Sequence, residues 1–322
     1  MPKVLGIGNA LVDIMTRLGN DELLKTFNLP KGGMQLVDSE LSKLVIDNTG
    51  NLEKQMTSGG SAANTIHGLA NLGTETGFIG KIGNDEFGEF FLNDMKNKNI
   101  NPILSYGNND TGKAIALVSP DAERTFATYL GASIELTAND LSLQMFAGYD
   151  YLHIEGYLVQ DHDLVKKAVE MAKQNNMTVC LDMASYNVVE ANLEFLKTLI
   201  KNYVDIVFAN EDEARSFTGS EPEEALHKIA EDCDIAVVKT GEKGSLIKQA
   251  GNVYTVDTIN VNCIDTTGAG DLYAAGFIYG LIKGYPVDRC GRIGTVLAGK
   301  VIEVTGAKMD TNTWTKIREL IS

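Results

Sequence analysis

The chain has 322 residues, 44% hydrophobic and 22% charged, with a formal net charge of -15. Length and composition fit an ordinary globular protein with one large core, and exclude a disordered or fibrous chain. The acidic balance argues against nucleic acid as a partner, because phosphate backbones need a basic face, and no apolar run is long enough to span a membrane.

Residues 4–8 predict a short buried strand ending in glycine, with Asn9 and Asp13 just beyond it. A carboxylate past the end of a parallel strand lies where open α/β sheets bind ligands, although a solvated loop acid would look the same. The N-terminus enters this strand at once and carries no signal-like segment, so a cytoplasmic protein is expected. Residues 21–29 predict a short helix, 30–33 a turn, 34–37 a strand, and 39–47 a helix with Ser39 as its N-cap. Ser58-Gly59-Gly60-Ser61-Ala62-Ala63-Asn64 then opens a long helix to Leu72. Small residues at such a turn permit either close approach of a ligand or close helix–sheet packing.

Residues 103–129 alternate in strand-like pieces, with 114–118 and 124–129 as a hairpin carrying Arg124. A lone arginine there is ordinarily a solvated cation. Strands at 149–158, 178–181 and 204–209, with an amphipathic helix at 165–175, predict a parallel sheet with helices on both faces. Tyr157 and Tyr186 fall at strand ends, where either could be a core residue. Asn210-Glu-Asp-Glu213 follows the third of these strands, as an acidic first helical turn would. Residues 235–239 predict a strand running into the turn Thr240-Gly241-Glu-Lys-Gly244. Gly294 to Val301 nearly spells a phosphate-binding loop, but it lacks the final Ser or Thr and a preceding strand, so Lys300 reads as a surface or packing residue. The four cysteines, Cys180, Cys233, Cys263 and Cys290, have neither metal nor redox spacing and read as small buried hydrophobes of a reducing compartment.

The most informative stretch is Asp265-Thr-Thr-Gly268-Ala269-Gly270-Asp271, between a strand-like run at 253–261 and a helix-like run of small and apolar residues. The first amides of a helix lack internal partners and, with the macrodipole, suit an anion. Asp271 puts a carboxylate in that spot. It is either a first-turn acid that complements the dipole or a general base beside a phosphate cradle, placed to take a proton from an attacking hydroxyl.

This stretch resembles the C-terminal signature of the ribokinase (PfkB) family of small-molecule kinases, Asp-Thr-x-Gly-Ala-Gly-Asp. Gly59, Gly60 and Asn64 match the family's Gly-Gly-x-x-x-Asn, Asn210 and Glu213 its Asn-x-x-Glu, and Asn9 and Asp13 the Asn-x-x-x-Asp form of nucleoside kinases. Further stretches, such as Glu155-Gly-Tyr-Leu158, look most like bacterial adenosine-kinase-like members. The resemblance implies a three-layer α/β/α ribokinase-like fold with a mostly parallel central sheet. It implies one domain over residues 1–322, with a small β-sheet lid from segments near 13–38 and 102–130. It makes Asp271 the base, with Gly268, Ala269 and Gly270 as the anion hole and Arg124 reaching the transferred phosphate when the lid closes. Asn9, Asp13, Gly59, Gly60 and Asn64 would bind the acceptor, with Tyr157 and Tyr186 flanking a purine. Asn210, Thr240, Gly241 and Gly244, with Gly268 and Gly270, would bind ATP, and Glu213 would hold Mg²⁺ through water. The implied reaction moves the γ-phosphoryl of ATP to a hydroxyl, foremost the 5′-hydroxyl of adenosine. A free-sugar kinase of the ribokinase or fructokinase type and a nucleoside- or sugar-binding module are the alternatives. The partner is a small nucleoside or sugar, and the chain a monomer or homodimer.

Overall fold

The computed structural model describes residues 1–121 and 123–322. Its strands, in chain order, are β1 (Val4–Ile7), β2 (Leu11–Arg17), β3 (Met34–Leu36), β4 (Lys54–Gly59), β5 (Thr76–Ile82), β6 (Ile100–Tyr106), β7 (Gly112–Val118), β8 (Arg124–Tyr129), β9 (Tyr151–Glu155), β10 (Thr178–Asp182), β11 (Ile206–Asn210), β12 (Ile235–Lys239), β13 (Ser245–Gln249) and β14 (Asn252–Val256). Nine of them form the large sheet, in the order β14-β13-β12-β11-β10-β9-β1-β5-β6. Neighbours from β12 across to β6 pair in parallel, and β13 and β14 close one edge as an antiparallel hairpin.

Strands buried on both faces read as continuous apolar runs, and Val4–Ile7 is buried at every position. Two apolar layers flank the sheet. One gathers the helices Ser61–Asn71, Glu86–Asn97, Ala269–Ile282, Val287–Val301 and Thr311–Ile321, and the other gathers His162–Gln174, Leu193–Tyr203, Glu211–Thr218 and Pro222–Ile229. This is the three-layer α/β/α fold. Ala269–Ile282 is apolar nearly all round, and it lies buried against Val287–Val301 and Ser61–Asn71. A helix without a polar face is held from several sides, which fixes its first turn. Among the described residues, no helix is long and apolar enough to cross a membrane.

The second sheet runs β3-β8-β7-β2-β4. In β2, Val12, Ile14 and Thr16 are buried while Leu11, Asp13 and Met15 are half-exposed, so the alternation turns Asp13 toward the cleft between the sheets. β6 pairs with β5 at the edge of the large sheet, whereas β4, which has no strand-like pattern, joins the smaller one through β2.

Other boundaries differ from expectation for local reasons. Asp38, not Ser39, caps its helix, accepting the Leu41 amide at 2.8 Å. β9 stops at Glu155, and a tight helical turn, Gly156–Gln160, follows. β14 ends at Val256, which pairs with Ser245, the first residue of β13, so a loop rather than a strand leads into residue 268.

Candidate active site

β1 is the switch point of the large sheet, since the chain passes to β5 and β6 on one side and to β9 through β12 on the other. Open α/β sheets leave a crevice at the carboxyl ends of strands there. A cavity of about 1140 Å³ occupies that place, walled by Gly60, Ser61, Asn64 and Asp271 at two helix starts. The strand ends Asp182, Asn210 and Lys239 line it too, as do Asp13, Ala114 and Phe126 of the smaller sheet.

Asp271 sits in the first turn of Ala269–Ile282, whose N-cap, Gly268, has φ 77°. That left-handed conformation favours glycine. The Asp271 carboxylate accepts from Ser61 Oγ at 2.7 Å and from Asn64 Nδ2 at 2.9 Å. Burial pushes its pKa up to about 6, against the lowering effect of those two hydrogen bonds. It is therefore mostly ionised at neutral pH and still basic enough to take a proton. Asn64 Oδ1 is buried without a partner among the described residues, leaving an acceptor free beside the carboxylate.

Asp13 lies over Gly59, where any Cβ would collide with its carboxylate. Burial raises its pKa to about 6, while the Lys308 ammonium opposes the rise. Lys308 Nζ is itself buried with no hydrogen-bond partner among the described residues. Burial lowers it to about 8, countered by the carboxylates of Asp13, Asp94 and Asp271. Asn9 Nδ2 donates to Glu155 Oε1 at 2.6 Å, and the Ala62 amide donates to Oε2 at 3.1 Å. Burial raises Glu155 to about 7.

At the other end of the cavity, Lys239 Nζ pairs with Asp182 at 2.8 Å. It also flanks the helix start, since a Cβ on Gly270 would lie 3.2 Å from it. Burial pulls the Lys239 pKa down, but the Asp182 and Glu213 carboxylates outweigh it and the value is raised. Asn210 and Glu213 form a reciprocal capping box, with the Asn210 amide and Nδ2 both donating to Glu213 at 2.7 Å. Burial and the Asp182 charge push Glu213 up to about 7. Among the described residues, no group of three or more His, Cys, Asp or Glu is arranged to hold a metal ion. Glu213 and Asp182 nonetheless face one cavity, so the donor set fits Mg²⁺ that keeps its waters better than Mg²⁺ in a protein cage.

Of the residues named from the sequence, the cavity wall brings together Asp13, Gly60, Asn64, Tyr157, Asn210, Glu213, Gly241, Gly244, Ala269, Gly270 and Asp271. Gly59 and Gly268 stand immediately behind it, and Thr240 is buried next to Gly241. Asn9 is turned inward and occupied by Glu155. Arg124 is paired with Asp265. Tyr186 lies outside the wall and is 48% exposed, because the chain turns at Ala184 (φ 65°) and starts the helix Tyr186–Ala191 at the surface. Cys263 is also exposed, unlike the buried Cys180 and Cys290. Lys300 pairs with Glu303 at 2.8 Å.

Sequence reasoning missed Lys239, Asp182, Glu155, Lys308 and Phe126. A signal existed for the first three, each a charge closing an apolar strand run. Nothing near Lys308 in the chain announces Asp13.

Residues 45–314 match the pfkB family carbohydrate kinase. The adenosine kinase of Sinorhizobium meliloti superposes with a TM-score of 0.87 at 32% identity, covering 99% of both chains. A probable sugar kinase from Rhizobium etli gives 0.87 at 33% identity, covering 99% of this chain and 98% of that one. The 5-dehydro-2-deoxygluconokinase of Bacillus licheniformis is 30% identical over 281 residues, covering 82% of this chain and 86% of its own.

Proposed function

This chain belongs to the pfkB family of carbohydrate kinases, and on that premise we propose that it transfers the γ-phosphoryl of ATP to the 5′-hydroxyl of adenosine. The observation that carries this reading is one cavity holding both a half-buried, hydrogen-bonded Asp271 at a helix start and the Asp13 carboxylate of the smaller sheet. Asp13 binds acceptor hydroxyls. Asp271 accepts the proton of the attacking hydroxyl, a role worth ~10²–10⁴-fold in rate. The amides of the first turn, preceded by Gly268, and the Lys239 ammonium meet the charge on the transferred group. Glu213 and Asp182 would hold the waters of a bound Mg²⁺, which would supply further charge neutralisation on the phosphates. The smaller sheet acts as a lid that excludes water.

Adenosine is favoured by two flat side chains on the cavity wall, Tyr157 and Phe126, on which a purine can stack. The full-length likeness to a bacterial adenosine kinase supports the same reading. A second reading, a free-sugar or sugar-acid kinase, is supported by the likeness to the Bacillus enzyme. ADP release measured with adenosine, ribose, fructose and 5-dehydro-2-deoxygluconate separates them. The highest specificity constant is expected with adenosine. A higher value for any of the others moves the assignment to the second reading, and no ADP with any acceptor leaves a binding module.

A further inference from the structure

We propose that Asp265 is a positioning residue: it fastens the smaller sheet over the phosphate end of the cleft by holding Arg124, and so sets where that guanidinium stands during transfer. The inference rests on the kinase reading for its consequence in turnover, but the clasp itself is a property of the folded chain. Arg124 opens β8 in the smaller sheet, and Asp265 lies in the loop before Ala269–Ile282. The two side chains are only 13% and 8% exposed.

The Asp265 carboxylate is fully subscribed. Oδ1 accepts from Thr267 N at 3.0 Å and from Thr267 Oγ1 at 2.8 Å. Oδ2 accepts from Gly306 N at 2.5 Å and pairs with Arg124 Nη1. Two of these four interactions brace the loop that delivers Gly268 and Asp271, and a third ties it to the chain at Gly306. The fourth reaches across to the other sheet, and among the described residues no other ion pair joins the smaller sheet to the part of the chain that carries Asp271. Burial pushes the Asp265 pKa up, but the hydrogen bonds from Arg124, Thr267 and Gly306 outweigh it and hold the carboxyl below its ordinary value, so the carboxylate stays charged at neutral pH.

Arginine suits this place where lysine would not. A guanidinium offers five donors in a fixed fork, so one nitrogen on Asp265 leaves others to face an anion at the helix start. Removing either partner strands a largely buried charge, so the two changes should have one shared consequence.

A double-mutant cycle on the full chain tests this with Asp265→Asn, Arg124→Gln and the double variant. Hydrogen exchange of residues 112–129 is read without ligand. Each single change is expected to speed exchange there, on the order of tenfold, and the double variant no more than either alone. In turnover, Asp265→Asn should lower kcat with little change in the acceptor KM, and should add almost nothing in the Arg124→Gln background. Additive effects, or exchange altered only around 265–272, would reduce Asp265 to a loop brace and overturn the proposal. Should Asp265→Asn fail to fold, Arg124→Lys against Arg124→Gln decides it, since lysine keeps the charge and must retain protection that glutamine loses. If wild-type protein releases no ADP with any acceptor, the kinase reading falls, while the exchange cycle still decides the clasp.

Discussion

Glu155 provides a quantitative test of the buried acid cluster behind the acceptor end. Burial lifts its pKa from 4.5 to about 7, while the bonds from Ala62 and Asn9 pull the other way. Because the folded value is raised, the stability associated with this group is fully present below pH 4.5 and is lost as pH climbs through 7. Each pH unit in that window corresponds to about 1.4 kcal/mol. Integrated from pH 5 to pH 8, wild-type protein should lose roughly 2–3 kcal/mol through Glu155 that Glu155→Gln does not lose. In the variant an amide nitrogen faces either Asn9 Nδ2 or the Ala62 amide, as the hydroxyl of the protonated carboxyl does in wild type at low pH, so any difference between the two neutral groups is a constant offset. That offset is independent of pH. Asp13 and Asp271 titrate near 6 and Glu213 near 7 in both proteins, so to first order they cancel in the comparison. Urea unfolding at pH 5, 6, 7 and 8 should therefore find the gap between wild type and variant shifting in the variant's favour by about 2–3 kcal/mol from pH 5 to pH 8. A gap that stays flat or shifts in favour of wild type as pH rises would refute the reasoning.

Two further outcomes concern the acceptor. Asp13→Ala should weaken acceptor binding roughly 10- to 100-fold, the worth of a hydrogen bond to a charged group, and leave ATP binding almost untouched; calorimetric titration of both ligands that finds equal losses would reject the division of the cavity. Tyr157→Ala should raise the KM for adenosine severalfold, from ~0.5–1.5 kcal/mol of aromatic contact, whereas Tyr186→Ala should not. A thermal melt alongside distinguishes lost stacking from lost stability, and a Tyr186 effect as large as that of Tyr157 would mean the purine lies elsewhere.

Much of the architecture could be read in advance because parallel strands and their crossover helices leave apolar runs and amphipathic periods in the chain. The helix start at Gly268–Gly270, with Asp271 in its first turn, was legible for a similar reason, since small residues where a loop turns into an apolar helix leave a local pattern. β4 was not legible. Lys54-Gln-Met-Thr-Ser-Gly carries no alternation, and it becomes a strand only because β2 offers it a free edge. Tyr186 looked like a partner for Tyr157 because both follow strand ends, but one left-handed residue at Ala184 sends the chain outward. Lys308, Glu155 and the Arg124–Asp265 pair depend on segments far apart in sequence. Long-range electrostatic partners leave no local pattern, and only the folded chain brings them together.

The most direct test is single-turnover phosphoryl transfer from ATP to adenosine by wild type and Asp271→Asn, with ATP binding measured beside it. The near-isosteric change keeps one oxygen to accept from Ser61, turns an amide nitrogen toward Asn64, whose unpartnered Oδ1 can accept it after an amide flip, and removes the base. Wild type should form ADP and phosphorylated nucleoside in equal amounts, and the variant should bind ATP normally while its transfer rate falls at least ~10²-fold. A variant that transfers at near wild-type rate would contradict the assignment of Asp271 as the base at the centre of this site.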